Sequence, residues 1–242
     1  TAICRKWILD GVKDGSLPVE VLDEAVKNVL TLVEQYVRSH PDDCDFEAND
    51  ALACKIAEDS AVLLKNDGIL PLNEKEKLFV CGDLFEKMRY QGAGSSMINP
   101  TKLTTPKDAF DAMGVRYTYA RGYAENSTTT NGALLREALR SAKQYQKVLV
   151  FAGLTDYVES EGCDREDMRL PENQLALIEG LIKEGKQVIV VLFGGSPVEL
   201  PFAERVSAIL NLYLPGQSGG RACASLLFGK ANPAGRLAET WS

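Results

Sequence analysis

Val188-Ile189-Val190-Val191-Leu192-Phe193 is apolar at every position, and this stretch decides the fold. A strand with apolar residues on both faces is buried on both faces, as happens when helices cover the two sides of a parallel sheet. The turn residues Gly194-Gly195-Ser196 follow directly and end the run. The stretch therefore predicts a central strand of a layered α/β domain.

Four further apolar, β-branched runs alternate along the chain with segments of helical periodicity. The predicted strands are Leu78 to Cys81, Val115 to Tyr119, Val148 to Phe151 and Ala208 to Leu212, and the predicted helices are Pro106 to Met113, Asn131 to Tyr145, Pro171 to Glu184 and Ser218 to Phe228. This alternation predicts βαβ units with right-handed crossovers. We therefore expect an α/β fold with a mostly parallel open sheet of five to six strands flanked by helices on both faces, a flavodoxin-like sandwich.

The N-terminal part has a different pattern. From Pro18 to Val37, apolar residues recur at helical spacing after a Ser-Leu-Pro start signal, which predicts an amphipathic helix. A polar stretch, Ser39 to Asp45, predicts a short linker before a second helix that runs to about Ser60. We therefore expect residues 1–44 to form an N-terminal helical linker arm and residues 45–242 to form the α/β sandwich.

Composition excludes several classes of protein. The 242 residues are 45% hydrophobic and 25% charged, as in ordinary globular proteins, and the net charge of −7 argues against nucleic acid or an anionic membrane as a partner. The six cysteines are scattered, with no CxxC pair, so we expect mostly free thiols, no metal and no cofactor. Unpaired thiols favour the cytoplasm of a bacterium over secretion. Oligomeric state is left open.

Glycine-rich or polar loops follow four of the predicted strands. In an open parallel sheet, ligands bind at the edge formed by the carboxyl ends of the strands, so these loops are expected to share one edge. The four loops are Arg89 to Ser96, Thr155 to Arg165, Gly194 to Ser196 and Pro215 to Gly220. We call the first the Gly-Ser loop, the second the acidic loop, and the shared edge the carboxyl edge.

The acidic loop and the residues just after it are rich in carboxylic acids, namely Asp156, Glu159, Glu161, Asp164, Glu166 and Asp167. Crowded acids raise each other's pKa, and a carboxyl that stays protonated at neutral pH can act as a general acid. The glycine after Glu161 allows close approach of another surface, and Asp164-Arg165 offers a local counter-charge. The alternative interpretation is a solvated acidic loop.

Two other loops invite different chemistry. Gly92-Ala93-Gly94 could cradle a phosphate, but it lacks the third glycine of a dinucleotide fingerprint and the lysine of a P-loop. Gly216-Gln217-Ser218-Gly219-Gly220 matches the nucleophile elbow of esterases, with Ser218 as the nucleophile. The sole histidine, His40, lies far upstream, so a glycine-rich turn at the start of a helix is the preferred interpretation.

A series of short motifs follows in a fixed order along the chain. The motifs are Ala57 to Asn66, Ile69 to Leu72, Gln91 to Ser96, Glu159 to Arg165 with Leu170-Pro171 and Gln174, Pro215 to Gln217, and Asn232 to Leu237 with Thr240. In this order they resemble the C-terminal domain of family 3 glycoside hydrolases of the β-glucosidase type. The resemblance implies retaining hydrolysis of terminal non-reducing β-D-glucosyl residues. The partners it implies are a β-glucoside or oligosaccharide substrate and an N-terminal barrel of the same polypeptide, which supplies an aspartate nucleophile.

The resemblance also implies roles for individual residues. Glu161 is expected to be the general acid/base, with Glu159 as the alternative, and Asp164 and Arg165 are expected to hold the loop. Arg89, Gln91, Ser95 and Ser96 are expected to bind substrate or position the loops, and no nucleophile is expected in this chain, so we expect the chain alone to be inactive. The glycone is left open, and a non-catalytic packing or carbohydrate-binding module remains the alternative function.

Overall fold

The computed structural model describes residues 2–37 and 44–241, so the predicted linker Ser39 to Asp45 lies mostly outside the described residues. The described residues form seven α-helices and six β-strands. The helices are α1 Ala2–Asp14, α2 Val19–Val37, α3 Phe46–Ser60, α4 Pro106–Ala112, α5 Gly132–Ala142, α6 Glu172–Lys183 and α7 Gly219–Leu227. The strands are β1 Val62–Asn66, β2 Leu78–Cys81, β3 Tyr117–Ala120, β4 Lys147–Gly153, β5 Gln187–Phe193 and β6 Ala208–Asn211.

The chain divides into two compact units, Thr1–Asp45 and Phe46–Ser242. The first unit contains α1 and α2. Helix α2 confirms the amphipathic helix predicted from Pro18 to Val37, whereas the separate helix α1 was not predicted. The second unit begins with α3, which ends at Ser60 as predicted.

The second unit is built on one sheet with the strand order β1-β6-β5-β4-β2-β3. Strands β2 to β6 are parallel to one another, and β1 pairs with β6 in the antiparallel direction. Numbered from β2, the parallel strands have the order 2-1-3-4-5, which is a doubly wound order with its switch point between β2 and β4. The predicted mostly parallel α/β sheet is confirmed, and the antiparallel edge strand β1 is an addition to it.

Helices cover both faces of this sheet. Helix α4 connects β2 to β3, whereas α5 and α6 connect β3 to β4 and β4 to β5, in the opposite direction across the sheet. Because such crossovers are right-handed, α4 lies on one face, and α5 and α6 lie on the other. The packing agrees, because α3 and α4 contact α7, and α5 contacts α6.

The core lies on β4 and β5, as the apolar run predicted. Val188 to Phe193 are all buried, and so are Val148 to Gly153 on the neighbouring strand. Each fully buried aliphatic or aromatic side chain of this kind contributes about 1.5–3 kcal/mol. Phe151 stacks on Phe193 at a centroid distance of 6.3 Å, so the strand ends that carry the loops are packed tightly.

Among the described residues, no helix combines the length and the apolar character that a membrane span needs. Cys4, Cys54, Cys81, Cys163 and Cys223 are unpaired thiols.

Candidate functional site

The four loops predicted to share one edge meet at the carboxyl edge, where they form a closed ring. They follow β2, β4, β5 and β6, and four backbone hydrogen bonds link each loop or strand end to its two neighbours in the ring. In each bond a backbone N–H donates to a backbone carbonyl oxygen. The donor and acceptor residues are Leu154 and Phe193 (2.8 Å), Gly194 and Tyr213 (3.0 Å), Gly216 and Tyr90 (2.9 Å), and Glu161 and Ala93 (3.1 Å). The ring fixes the position of the acidic loop relative to the Gly-Ser loop.

Arg89, at the start of the Gly-Ser loop, ties this ring together from inside. Its side chain is only 5% exposed. The guanidinium donates to the carbonyl oxygen of Leu154 (3.0 Å), to the carbonyl oxygen of Glu159 (2.9 Å) and to the Glu159 carboxylate. Its Nε also lies 3.1 Å from a carboxylate oxygen of Asp156. A buried guanidinium is stable only with such partners, so the first turn of the acidic loop is held against the loop after β2.

The carboxylate of Glu159 accepts hydrogen bonds at both of its oxygens. Besides Arg89, it accepts hydrogen bonds from the backbone N–H of Gly195 (2.9 Å) and from the hydroxyl of Ser196, both in the loop after β5. Burial opposes its ionisation, but the hydrogen bonds from Ser196 and Gly195 and the charge of Arg89 outweigh burial and lower the pKa of Glu159. Glu159 is therefore an ionised anchor that joins three loops.

The carboxylate of Glu161 is exposed, and among the described residues it is bound only by the Gly-Ser loop. Its Oε2 accepts hydrogen bonds from the backbone N–H (2.5 Å) and the hydroxyl of Ser95. Gly94, with φ of 99°, makes room for this contact, because a Cβ at that position would lie 2.5 Å from the Cβ of Glu161. Together, Ala93, Gly94 and Ser95 form a cradle for Glu161.

The expected raised pKa of the acidic loop is wrong for both candidate glutamates. Hydrogen bonds from the Ser95 hydroxyl and the Ser95 N–H lower the pKa of Glu161, as Arg89, Gly195 and Ser196 lower that of Glu159. Like charges raise a pKa only when they are close and uncompensated, and here the charge of Glu159 is compensated by a guanidinium.

The remaining predicted site residues take separate places around the cradle. Gln91 closes its own segment, donating to the carbonyl oxygen of Ile98 (3.3 Å) and accepting from its N–H (3.0 Å). Arg165 donates to the carbonyl oxygen of Pro197 (3.0 Å) and so links the acidic loop to the segment after β5. Ser96 and Asp164 are exposed. The counter-charge of the Glu159 carboxylate is thus the guanidinium of Arg89, and not that of Arg165 in the acidic loop itself.

A cleft of about 510 Å³ opens beside the cradle, over the ends of β2 and β4. This is the switch point of the sheet, where doubly wound folds bind ligands. Its lining includes Met88, Gln91, Met97, Thr155, Asp156 and Tyr157. The Thr155 hydroxyl is buried and has no hydrogen-bond partner among the described residues. Apolar and polar surface therefore lie side by side, which suits a small polar molecule with an apolar face.

The esterase interpretation of Ser218 is wrong. Ser218 is fully buried, and its hydroxyl donates to the carboxylate of Asp50 on α3 at 2.5 Å. The same carboxylate accepts from the amide of Gln217 (2.7 Å) and pairs with Arg221 (3.1 Å). His40 lies outside the described residues. A buried hydroxyl that fastens α7 to α3 cannot reach a substrate, so Ser218 has a structural role.

Neither a metal nor a phosphate finds a prepared site here. In ranges 2–37 and 44–241, no group of three or more His, Cys, Asp or Glu side chains is arranged to hold a metal ion. The Ser95 N–H, which a phosphate would need, is already bound to Glu161. The Gly-Ser loop therefore serves a carboxylate of the protein itself.

Two contributors to the site were missed at the level of single residues. Gly195 and Ser196 hold the Glu159 carboxylate, although only their loop, and not these residues, was singled out from the sequence. Their position directly after the most apolar strand was the available signal, because the carboxyl end of a central strand faces the site.

The chain matches the family model described as "Glycosyl hydrolase family 3 C-terminal domain" over residues 61–242. Among curated proteins, it is 39% identical to thermostable beta-glucosidase B of Acetivibrio thermocellus, over 99% of this chain and 32% of that protein. It is 37% identical to the exo-alpha-(1->6)-L-arabinopyranosidase of Bifidobacterium longum, over 96% of this chain and 33% of that protein. The chain thus spans about a third of the length of these relatives.

A solved structure gives the same picture. The Bifidobacterium adolescentis GH3 beta-glucosidase superimposes with a TM-score of 0.84 at 36% identity, over 96% of this chain and 35% of that one. The α/β architecture described above is therefore shared with a longer relative of known structure.

Proposed function

The chain belongs to glycoside hydrolase family 3 as its C-terminal domain, and from this premise we propose that it supplies the general acid/base of a retaining β-glycosidase. In this proposal Glu161 exchanges the proton with the glycosidic oxygen. The nucleophile lies in an N-terminal barrel of the same polypeptide, and residues 1–44 form the helical linker that follows the barrel.

One observation carries the choice of Glu161, namely the different engagement of the two glutamates. Glu159 is bound at both carboxylate oxygens by Arg89, Gly195 and Ser196, and its side chain is only 16% exposed, so little of it is open to a substrate oxygen. Glu161 is exposed, and among the described residues only Ser95 donates hydrogen bonds to its carboxylate. A general acid must reach the leaving oxygen directly or through one water, and this geometry supports Glu161 and gives Glu159 the part of an anchor.

The chemistry follows from the two carboxylates of a retaining enzyme, which stand about 5 to 5.5 Å apart. The nucleophile attacks the anomeric carbon while the acid protonates the leaving oxygen, and the same group then deprotonates the incoming water. The lowered pKa of Glu161 suits the second step. A bound sugar and an adjacent nucleophilic carboxylate would desolvate Glu161 and place a like charge near it, and both effects raise its pKa for the first step.

We propose terminal non-reducing β-D-glucosyl residues as the glycone, following the β-glucosidase among the relatives. The arabinopyranosidase of similar identity marks the competing glycone class. Unpaired thiols, including the exposed Cys163 in the acidic loop, support a reducing compartment, and we propose the bacterial cytoplasm.

The test replaces each glutamate by glutamine in the full-length enzyme and compares aryl β-glucosides with good and poor leaving groups. We expect Glu161→Gln to slow poor leaving groups by roughly 10²–10⁴-fold, because they depend on protonation, and we expect azide to restore turnover of good ones. Glu159→Gln should also lower activity, since the anchor is weakened, but without rescue by azide.

The reverse pattern, with azide rescue in Glu159→Gln alone, would assign the acid/base to Glu159. Full activity of both variants would favour the alternative function, a packing or carbohydrate-binding module.

A further inference from the structure

We infer that Ser95 is a positioning residue that immobilises one oxygen of the Glu161 carboxylate, Oε2, and leaves the other, Oε1, to exchange the proton with the substrate. The inference deepens the proposed function and rests on it, since it concerns how Glu161 is presented to the leaving group.

The geometry sets the two oxygens apart. Both donors of Ser95, the backbone N–H at 2.5 Å and the hydroxyl, point at Oε2. The backbone N–H of Glu161 donates to Ala93 at 3.1 Å, so the residue is held at its main chain and at one carboxylate oxygen. In the part of the chain that the structure describes, no hydrogen bond reaches Oε1.

Contacts within the protein fix the shape of the cradle. Gly94 leaves space for the Glu161 side chain, and a Cβ at residue 94 would lie 2.6 Å from Oε2 itself. Gln91 and Ile98 close the segment on both sides of Ser95 with two hydrogen bonds of 3.3 and 3.0 Å. Ser95 therefore does not need to move to find the carboxylate.

The electrostatic surroundings of Glu161 make Ser95 the dominant local influence on it. The packed segment, residues 91–99, carries no titratable side chain. On its own loop, Glu159 is paired with Arg89, and the other titratable side chains within three residues of Glu161 are the exposed Cys163 and Asp164.

The consequence concerns the position and the strength of the acid. An oxygen that already accepts two hydrogen bonds cannot take a proton without losing a donor, so the proton resides on Oε1. Hydrogen bonds to the ionised form also favour that form. The Ser95 hydroxyl thereby keeps the Glu161 carboxylate ionised, which is the form needed for the second step. It also lowers the pH above which the protonated form needed for the first step is lost.

The test uses Ser95→Ala with two comparison variants. Ser95→Thr keeps the hydroxyl, and Ser141→Ala removes a serine hydroxyl from helix α5, outside the loops of the carboxyl edge. The first measurement is the ¹³C titration of the Glu161 side-chain carboxyl in this chain. We expect the midpoint to move to higher pH in Ser95→Ala, and to stay at the original pH in Ser95→Thr and Ser141→Ala.

The second measurement is the pH profile of kcat/KM of the full-length enzyme with a poor leaving group. The acid form is lost as pH rises through the pKa of Glu161, so a raised pKa should move the alkaline limb of Ser95→Ala to higher pH. Ser95→Thr should restore the limb, and the loss of kcat/KM in Ser95→Ala should be smaller than in Glu161→Gln.

The two measurements separate the inference from the function on which it rests. An unchanged carboxyl titration in Ser95→Ala overturns the inference directly. A shifted titration with an unchanged alkaline limb overturns the positioning role in the reaction, and a Glu161→Gln variant of full activity would then show that the proposed function has failed as well.

Discussion

Asp83, beside the end of β2, shows at the scale of one residue how this domain keeps buried carboxylates ionised. It is 1% exposed and accepts hydrogen bonds from Arg121 (2.7 Å) and from the backbone N–H of Glu125 (3.0 Å). Burial opposes its ionisation, but these hydrogen bonds and the charge of Arg121 outweigh burial and lower the pKa of Asp83. The ionised form of Asp83 therefore stabilises the folded chain.

The sign of this linkage gives a prediction for acid stability. A carboxyl whose pKa is lowered on folding contributes stability that is present above its unfolded pKa of about 4 and is lost as pH falls through the folded value. We expect Asp83→Asn to lower the melting temperature at pH 7 by about 3 °C, for a loss of about 1 kcal/mol, and to flatten the fall in melting temperature below about pH 4.

The control for this prediction is Asp67→Asn, which changes an aspartate whose side chain is 60% exposed. Its melting curve should follow that of the original chain at every pH. Parallel pH profiles for Asp83→Asn and the original chain would contradict the prediction.

Single residues also mark the limit of what the sequence could predict. The acidic loop and both glutamates were identified, but the sequence could not show which carboxylate is bound. That depends on Arg89, 70 residues before Glu159, and on Ser196, 37 residues after it. This distance in sequence also explains why the expected direction of the pKa shift is wrong. The sequence shows that acids are crowded within the loop, but it does not show that Arg89 and Ser196, outside the loop, bind one of them.

At the scale of elements, the junction of β4 and β5 at the carboxyl edge leaves no room for a side chain at the end of β4. Gly153, the last residue of β4, has φ of 145°, and a Cβ there would lie 1.8 Å from the carbonyl oxygen of Phe193 on β5. The side-chain amide of Gln174 on α6 bonds both the N–H (2.7 Å) and the carbonyl oxygen (2.9 Å) of Gly153. Strand end and helix are thus fixed to each other.

We therefore expect Gly153→Ala to destabilise the domain by about 3 kcal/mol or more, through backbone strain and displacement of β5. The matched control is Gly114→Ala, at φ of 68° with no atom within 4 Å of the added Cβ, where strain alone should cost about 1 kcal/mol. Free energies of unfolding from urea titrations measure both. An equal loss of unfolding free energy in the two variants would show that the clash with Phe193 does not contribute to the destabilisation.

Elements also differed in how well the sequence predicted them. Strands β2, β4, β5 and β6 were predicted within three residues at each end, because strands buried on both faces are apolar throughout. Strand β3 begins at Tyr117, two residues later than the predicted Val115. The N–H of Val115 donates to the carbonyl oxygen of Phe110 in α4, so Val115 belongs to the turn that follows this helix. Strand β1 was missed because its partner, β6, lies about 145 residues away in sequence, and an edge strand half open to solvent lacks the continuous apolar run.

At the scale of the whole molecule, the doubly wound strand order determines where chemistry can occur. The order puts the loops after β2, β4, β5 and β6 at one edge, and the ring of backbone hydrogen bonds makes them one surface. The surface presents the exposed Glu161, while the carboxylates next to it in the ring, Glu159 and Asp156, are paired with Arg89. In the proposed function this surface supplies Glu161 as the proton donor and acceptor, and the nucleophile comes from the N-terminal barrel.

This division gives a prediction for the 242-residue chain by itself. Retaining hydrolysis needs a free nucleophilic carboxylate about 5 to 5.5 Å from the acid/base, and the clamped Glu159 cannot attack an anomeric carbon. We expect the purified chain to fold and to release no nitrophenol from a nitrophenyl β-glucoside, under conditions in which the full-length enzyme turns over. Turnover by the chain that disappears in its Glu161→Gln variant would contradict the shared site, because it would require a nucleophile within these residues. Turnover that persists in that variant would point to a contaminating glycosidase, which a second purification of the variant would remove.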